Sequence, residues 1–387
     1  MYITRIAEKL FQNILSTSKV AIVLGARQVG KTTLVKHVLG NNLKTATFLN
    51  LDIEADKQRF VSASSLSPSD ALKSLGLPEI VVIDEAQRLP ETGRIIKGWY
   101  DAGAPVKIVL LGSSSLDILD QTAESLTGRN EKLFLPPLLF REVIACQSWY
   151  SDIFSADTLQ DDFKNQIQEL LTQSLVFGNY PEVVQTADKQ AYLLNLISDY
   201  LLKDILQMAL VKTPEAVRRL LMLLAHQTGS EVSVNELANN LGISRLTVER
   251  YLELLERTFV IFTLPAFSSN PRKEITKSKK IYFWDTGIRN AILNDFSVNL
   301  LRADIGSLWE NWVIAEFAKK NLMTGQKNNL YFWRSRAKGE VDLVIKGTDS
   351  LRAFEIKWQK RSGGQKAFSA AYGIKVAVID HSHPLVD

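Results

Sequence analysis

Four short runs of aliphatic and β-branched residues punctuate the first 150 positions. Val20-Ala21-Ile22-Val23-Leu24, Ala46-Thr47-Phe48-Leu49-Asn50-Leu51, Ile80-Val81-Val82-Ile83 and Val106-Lys107-Ile108-Val109-Leu110-Leu111 each read as a buried strand, with helical patterns between them. That alternation predicts an α/β unit on a parallel sheet. From about Asp157 to Leu224, apolar side chains recur at three- and four-residue spacing, as at Leu193, Leu196, Ile197, Tyr200 and Leu201, and predict helices. Residues 233–283 predict two short helices, a longer helix and a hairpin. After about Leu300 a helix precedes strands at Leu330 to Arg334, Glu340 to Ile345 and Ala353 to Lys357. The changes of pattern divide the chain into residues 1–150, 151–225, 226–300 and 301–387.

A length of 387 residues favours several packed units over one domain. Hydrophobic residues at 46% and charged residues at 23% exclude a disordered or fibrous chain. No apolar run reaches the roughly 18 residues of a membrane helix, and Met1-Tyr2-Ile3-Thr4-Arg5 does not open a signal peptide, so a soluble cytoplasmic protein is predicted. One cysteine, Cys146, leaves no internal disulfide, and four scattered histidines form no zinc set with it. His381 and His383 read as part of a frayed tail. Charge is unevenly distributed. Residues 151–200 carry two basic and eight acidic side chains, whereas residues 201–387 carry 27 basic and 19 acidic ones. A basic C-terminal half is compatible with a DNA partner without demanding one.

The first strand runs into Gly25-Ala26-Arg27-Gln28-Val29-Gly30-Lys31-Thr32-Thr33 and then a helical segment. This is the phosphate-binding pattern G-x-x-x-x-G-K-[ST] in its strand–loop–helix setting. Its glycines let successive backbone N–H groups turn toward phosphate oxygens, aided by the positive end of the next helix. Lys31 is expected to reach the β- and γ-phosphates of ATP, and the Thr32 hydroxyl to ligate Mg²⁺. Ile80-Val81-Val82-Ile83 ends in Asp84-Glu85, a Walker B pattern in which Asp84 holds the metal's water shell and Glu85 orients or deprotonates the attacking water. Together the two motifs favour hydrolysis over binding alone. The strand Val106–Leu111 ends in Gly112-Ser113-Ser114-Ser115. There Ser113 is a candidate γ-phosphate sensor, and a serine-rich helix cap is the alternative. Arg129, in Gly128-Arg129, is a candidate arginine finger acting in cis or from a neighbouring subunit; an ordinary surface arginine is the other reading.

The strings GARQVGKTTL, VVIDEAQRLP, LLGSSSLDIL, SLTGRNEKLFLPPLLFREV and FGNYPEVV occur here in that order. In this the chain resembles a large prokaryotic group of AAA-type ATPases with a C-terminal domain of unknown function, over almost its whole length. The resemblance implies an ATP-binding core closed by a helical segment, supports Arg129 as the group's arginine, and leaves homo-oligomerisation open.

Ser233-Val234-Asn235-Glu236 is a capping box, Leu241-Gly242-Ile243 a stop, and Ser244 the cap of a second helix from Arg245 to Arg257. Two helices joined by a glycine turn form a helix-turn-helix pattern, with Arg245, Thr247, Glu249 and Arg250 on the exposed side of the second. Strands through Phe259–Leu264 and Lys279–Trp284 would make a wing with Arg272, Lys273, Lys277, Lys279 and Lys280 in its loop, able to neutralise DNA phosphates. A protein-binding module is the competing reading, because Glu249, Glu253 and Glu256 share the second helix.

Gly339-Glu340-Val341-Asp342 and Phe354-Glu355-Ile356-Lys357 lie on two predicted strands, where Glu355 and Lys357 share a face. Asp342 and Glu355 could hold a divalent cation while Lys357 orients water, with Glu310 supplying a further carboxylate from the preceding helix. Helix Glu, strand Asp and Glu-x-Lys resemble the PD-(D/E)xK nuclease group, although Ser369 stands where a Q-x-x-x-Y element beginning at Gln365 would place its tyrosine. Solvated strand ends are the alternative. The expected fold class is therefore α/β: an AAA-type P-loop core, a helical and winged-helix middle, and a restriction-endonuclease-like C-terminal domain. The expected function is Mg²⁺-dependent ATP hydrolysis that gates a DNA-binding or nuclease-like end; the alternative is a nucleotide-regulated scaffold that binds protein.

Overall fold

The computed structural model describes residues 2–113, 126–201, 213–268, 279–326, 328–335, 339–359 and 366–385. Among these residues the N-terminal part is built on β1 (Val20–Leu24), β2 (Ala46–Asn50), β3 (Ile80–Asp84), β4 (Lys107–Gly112) and β5 (Asn130–Phe134). They lie in the order β2-β3-β4-β1-β5, every neighbouring pair parallel. Every residue of β1 is buried, because helices cover both faces. Ala21 and Val23 join one hydrophobic cluster while Val20, Ile22 and Leu24 join another, the two-residue alternation of a strand. The fifth strand was not predicted. Asn130-Glu131-Lys132 lacks a β-branched residue, as an edge strand beside β1 can. Parallel pairing brings the carboxyl ends of β1, β3 and β4 to one edge of the sheet, where open α/β sheets hold their ligands.

The helical stretch includes Lys164–Phe177, Lys189–Asn195 and Pro214–His226. There follow β6 (Glu231–Val232), the helices Val234–Leu241 and Arg245–Arg257, β7 (Ile261–Pro265) and β8 (Lys279–Phe283), with an antiparallel sheet in the order β6-β8-β7. The two serine caps form as the sequence predicts. Ser233 accepts from the Glu236 N–H at 3.3 Å, Ser244 accepts from the Thr247 N–H at 3.2 Å, and Gly242 takes the left-handed conformation between them.

The C-terminal part packs the helix Ile305–Met323 on a sheet of β9 (Asn329–Arg334), β10 (Glu340–Lys346), β11 (Leu351–Ile356) and β12 (Val376–Ile379), ordered β12-β11-β10-β9. β12 pairs parallel to β11, and the other pairs are antiparallel. This sheet is stitched to the middle one by a bridge between Ala266 and Phe332, where the Phe267 N–H donates to the Phe332 carbonyl at 2.6 Å. The long helix is anchored to the N-terminal part by a buried ion pair. Lys319 and Glu316 lie 3.1 Å apart; Glu316 accepts from the Phe140 N–H at 2.8 Å, and Lys319 donates to the Leu138 carbonyl at 3.2 Å. The tail does not fray as expected. The His381 ring stacks on Trp358 at 4.3 Å, and Gln168 donates to the His381 carbonyl at 2.9 Å. Among the described residues no helix is long and apolar enough to cross a membrane.

Candidate functional site

Between β1 and the helix Lys31–Leu39, the chain turns through Gln28 and Gly30, both at positive φ (62° and 93°). A cavity of about 540 Å³ opens against this turn, lined by Arg27, Gln28, Val29, Gly30, Lys31, Thr32 and Thr33. Gly25 and Ala26 lie behind it. Their carbonyls accept hydrogen bonds from Lys31 Nζ, both at 2.9 Å, so the ammonium folds over its own loop. Gly25 is required by packing: a Cβ there would sit 2.1 Å from the Leu135 carbonyl oxygen at the exit of β5. The N-terminus of the helix faces the cavity through Lys31, Thr32 and Thr33, an arrangement that receives anionic oxygens.

Asp84, at the end of β3, accepts a hydrogen bond from Thr32 Oγ1 at 2.6 Å. The two oxygen-bearing side chains expected at a magnesium ion are thus side by side, and this donor set fits such an ion. Glu85 follows in the left-handed region (φ 50°), its N–H donating to Asp84 Oδ1 at 2.9 Å. Glu85 Oε2 accepts from Gln87 Nε2 at 2.5 Å and from the Ser113 hydroxyl at 3.2 Å. Gln87 also donates to Ser113 Oγ at 3.0 Å. Ser113 is therefore buried at the end of β4 against the carboxylate expected to handle water. Ser114 and Ser115 lie outside the described residues.

Part of the cavity wall was not foreseen. Tyr2, Ile3 and Arg5 contribute from the N-terminus, and Pro181, Glu182 and Gln185 from the segment after the helix Lys164–Phe177. Arg5 is buried and braces the loop. Its guanidinium donates to the Val29 carbonyl at 3.0 Å, to the Pro136 carbonyl at 2.7 Å and to Glu142 at 3.2 Å. A lone arginine near the start gives no periodic signal; the string FGNYPEVV was visible, but not its position. The Tyr192 hydroxyl donates to Gln28, a second brace from the helical part.

Arg129 is not brought to the cavity. Its carbonyl accepts from the Val20 N–H at the start of β1, whereas the phosphate-loop sequence leaves the other end of that strand. Five strand residues put the two edges about 13–17 Å apart. The guanidinium is instead paired with Asp101 at 2.6 Å. The structure therefore holds the Arg129 side chain against Asp101, at the edge of the sheet opposite the phosphate loop of its own chain.

In the C-terminal sheet Asp342 and Glu355 are buried and come together with Lys357, whose Nζ lies 3.4 Å from Asp342 Oδ2 and 3.4 Å from Glu355 Oε1. Asp342 Oδ2 also accepts from the Ile356 N–H at 2.7 Å. Glu355 Oε2 is buried without a hydrogen-bond partner. Glu310 lies beside this set but is already engaged, accepting from the Tyr282 hydroxyl at 2.6 Å and from Lys280 at 3.1 Å. Burial pushes the Glu310 carboxyl above its usual range, opposed by Lys280 and reinforced by Asp342. The structure thus brings Asp342 and Glu355 together around Lys357 as expected, but among the described residues no group of three such side chains is placed to hold one metal ion, so Glu310 does not join them as a third ligand. Gln365 lies outside the described residues.

Lys280 is the second correction. Expected in a solvated wing loop, it is 3% exposed and also pairs with Glu340 at 2.7 Å, because it sits inside β8 and faces the C-terminal sheet. Lys279 is exposed as expected, and Arg272, Lys273 and Lys277 lie outside the described residues. On the second helix of the pair, Arg245, Glu249 and Arg250 are exposed, while Thr247 is half-buried with its hydroxyl against Ser244 at 2.8 Å. Arg245 is paired with Glu249 at 3.0 Å, and Glu253 with Arg257 at 2.7 Å, so much of this face is internally neutralised.

An AAA-domain family profile matches residues 17–144, and profiles of two domains of unknown function (DUF8612 and DUF4143) match residues 168–299 and 305–383. An uncharacterized protein of Mycobacterium tuberculosis is 30% identical over 358 residues, covering 91% of this chain and 73% of the relative. An uncharacterized protein of Methanocaldococcus jannaschii is 26% identical over 346 residues, covering 85% of this chain and 73% of the relative. Among solved structures, the Thermotoga maritima RuvB Holliday junction branch migration motor matches at 14% identity and a TM-score of 0.32, over 70% of this chain and 93% of that one. AMPPCP-bound DnaA from Aquifex aeolicus matches at 13% identity and a TM-score of 0.28, over 65% of this chain and 86% of that one.

Proposed function

Because the chain belongs to the protein family of the mycobacterial relative, with an AAA domain at residues 17–144, we propose that it binds ATP with Mg²⁺ and hydrolyses it. The observation that carries this reading is the hydrogen bond of 2.6 Å between Thr32 and Asp84. It joins the phosphate-loop hydroxyl to the Walker B carboxylate at the carboxyl edge of the sheet. In this reading Lys31 leaves the Gly25 and Ala26 carbonyls for the β- and γ-phosphates. Gly25 and Ala26 shape the loop, and Arg27 through Thr33 line the phosphate cavity. Thr32 and Asp84 would hold the ion, which would screen phosphate charge. Glu85 orients the attacking water when Gln87 and Ser113 release it, and Ser113 then reports on the γ-phosphate. Lys31→Ala should abolish nucleotide binding, whereas Glu85→Gln should bind ATP and stop turnover. Equal loss of binding in both variants would contradict these roles.

The parts beyond the core are read as a helical segment, a winged helix from the order helix, strand, helix, helix, strand, strand, and a nuclease-like end. Nucleotide state is proposed to alter how the basic C-terminal half meets DNA, and Arg129, on the far edge of the sheet, to serve a neighbouring copy rather than its own cavity. DNA binding that weakens steeply with salt is the expected signature. The scaffold reading, in which the terminal domain binds protein and does not cut, is favoured by one observation: Lys280 already fills the space beside Glu310.

A further inference from the structure

Lys280 belongs by topology to the middle sheet, yet its ammonium ends in the carboxylate centre of the next one. Nζ lies 3.1 Å from Glu310 and 2.7 Å from Glu340, and it stands over the Phe332 ring at 5.5 Å. An ammonium held by two carboxylates in so dry a place is a resident cation. Tyr282, two residues on and on the same face of β8, gives Glu310 its second donor. A little further along, Lys357 stands between Asp342 and Glu355. A divalent ion at Glu310 would have to enter against an ammonium about 3 Å away, a like-charge contact that low dielectric makes severe.

Resting on the nuclease-like reading of that sheet, we infer that the C-terminal carboxylate centre is neutralised from within: Lys280 takes the place of a catalytic divalent cation, so the centre joins the terminal domain to β8 and does not cut phosphodiesters. The residues therefore do not fit the metal that the nuclease resemblance implies, and no cleavage step runs through them. The centre is also a junction between two sheets. Glu231, paired in register with Lys280 on β6, receives Arg334 of β9 at 2.5 Å, so ion pairs of alternating sign run across the same seam. Glu355 Oε2, buried and unpaired, marks where an ion would be found if the inference were wrong.

Manganese titration followed by electron paramagnetic resonance, on the full chain without nucleotide, provides the test. Wild-type protein should bind no Mn²⁺ that is lost in Asp342→Asn or Glu355→Gln; an ion lost only in Asp84→Asn belongs to the phosphate-loop site and agrees with the inference. Lys280→Met, which leaves Glu310 and Glu340 facing the place of the lost ammonium, should gain an Mn²⁺ ion there at least about tenfold tighter than any wild-type binding, and Glu310→Gln should remove it. If Lys280→Met does not fold, the wild-type titration with the Asp342 and Glu355 variants decides alone. A wild-type Mn²⁺ ion lost in Asp342→Asn but kept in Asp84→Asn overturns the inference. So does Mg²⁺- or Mn²⁺-dependent DNA cleavage lost in Asp342→Asn, or a folded Lys280→Met protein that gains no ion. None of these results depends on ATP hydrolysis, so the proposed ATPase stands or falls separately.

Discussion

Gly178→Ala strikes the latch between the nucleotide cavity and the C-terminal half. Gly178 sits at φ +70° and ψ −169°, a region that side chains avoid at about 1–3 kcal/mol. An added Cβ would lie 1.8 Å from Asp285 Oδ1 and 2.5 Å from its Cγ. Asp285 cannot swing aside freely. Its oxygens accept from the N–H groups of Asn179 at 2.7 Å, Gly287 at 2.9 Å and Ile288 at 3.3 Å, all buried. Each buried donor left unpaired adds about 1–3 kcal/mol, so the total expected is about 5 kcal/mol, large for one substitution. Gly242→Ala is the control. It has φ +67° and nothing within 4 Å, so it should lose only the left-handed penalty of about 1–2 kcal/mol. Urea unfolding of both variants measures the difference. Binding of a fluorescent ATP analogue reads its consequence, because Asn179 leads through Tyr180 to Pro181 and Glu182 on the cavity wall. If Gly178→Ala unfolds within about 1 kcal/mol of Gly242→Ala, the clash with Asp285 is not what makes glycine necessary.

Removing one partner of the buried Glu316–Lys319 pair, as in Lys319→Met, should destabilise by about 3–5 kcal/mol, seen as a lower urea midpoint, whereas exposed Lys73→Met, whose Asp70 pair is solvated, should change it little. Arg129→Ala should keep ATP affinity and lower turnover only where copies associate; an equal loss at the lowest protein concentrations would place the guanidinium in its own active site. Burial raises the Asp304 carboxyl, but hydrogen bonds from Arg302 and Arg289 outweigh it and hold the group below its usual value. A depressed acid contributes stability that is present above the unfolded value near about 3.9 and lost as pH falls through the lower folded value. Asp304→Asn should therefore flatten the acid limb of a stability–pH curve; an unchanged limb would refute the assignment. Ser113→Ala removes one donor from Glu85 Oε2 and should alter steady-state turnover more than ATP affinity; the reverse pattern would make Ser113 a binding residue.

Much of the candidate nucleotide site was legible in linear order because its parts are local. A phosphate loop needs its strand, glycines, lysine and threonine within a dozen residues, and the Walker B carboxylates end a strand whose four apolar residues announce it. The capping serines at 233 and 244 are equally local: each side chain accepts from an N–H three residues on. The edge strand Asn130–Phe134 was missed because half-exposed positions accept polar residues and erase the apolar pattern.

What the sequence by itself determined is which residues can turn toward phosphate, carry charge or stop a helix, since those properties belong to a residue and its near neighbours. Only the tertiary structure decided where distant residues meet. Strand direction put Arg129 on the edge away from the cavity, and chain reversal brought Arg5 beneath the phosphate loop. The packing of one sheet against another turned Lys280 from an expected surface charge into a buried counter-ion. Composition holds no trace of such pairings, because two residues 30 apart, such as Lys280 and Glu310, come to share a dry site only when the elements carrying them are packed together.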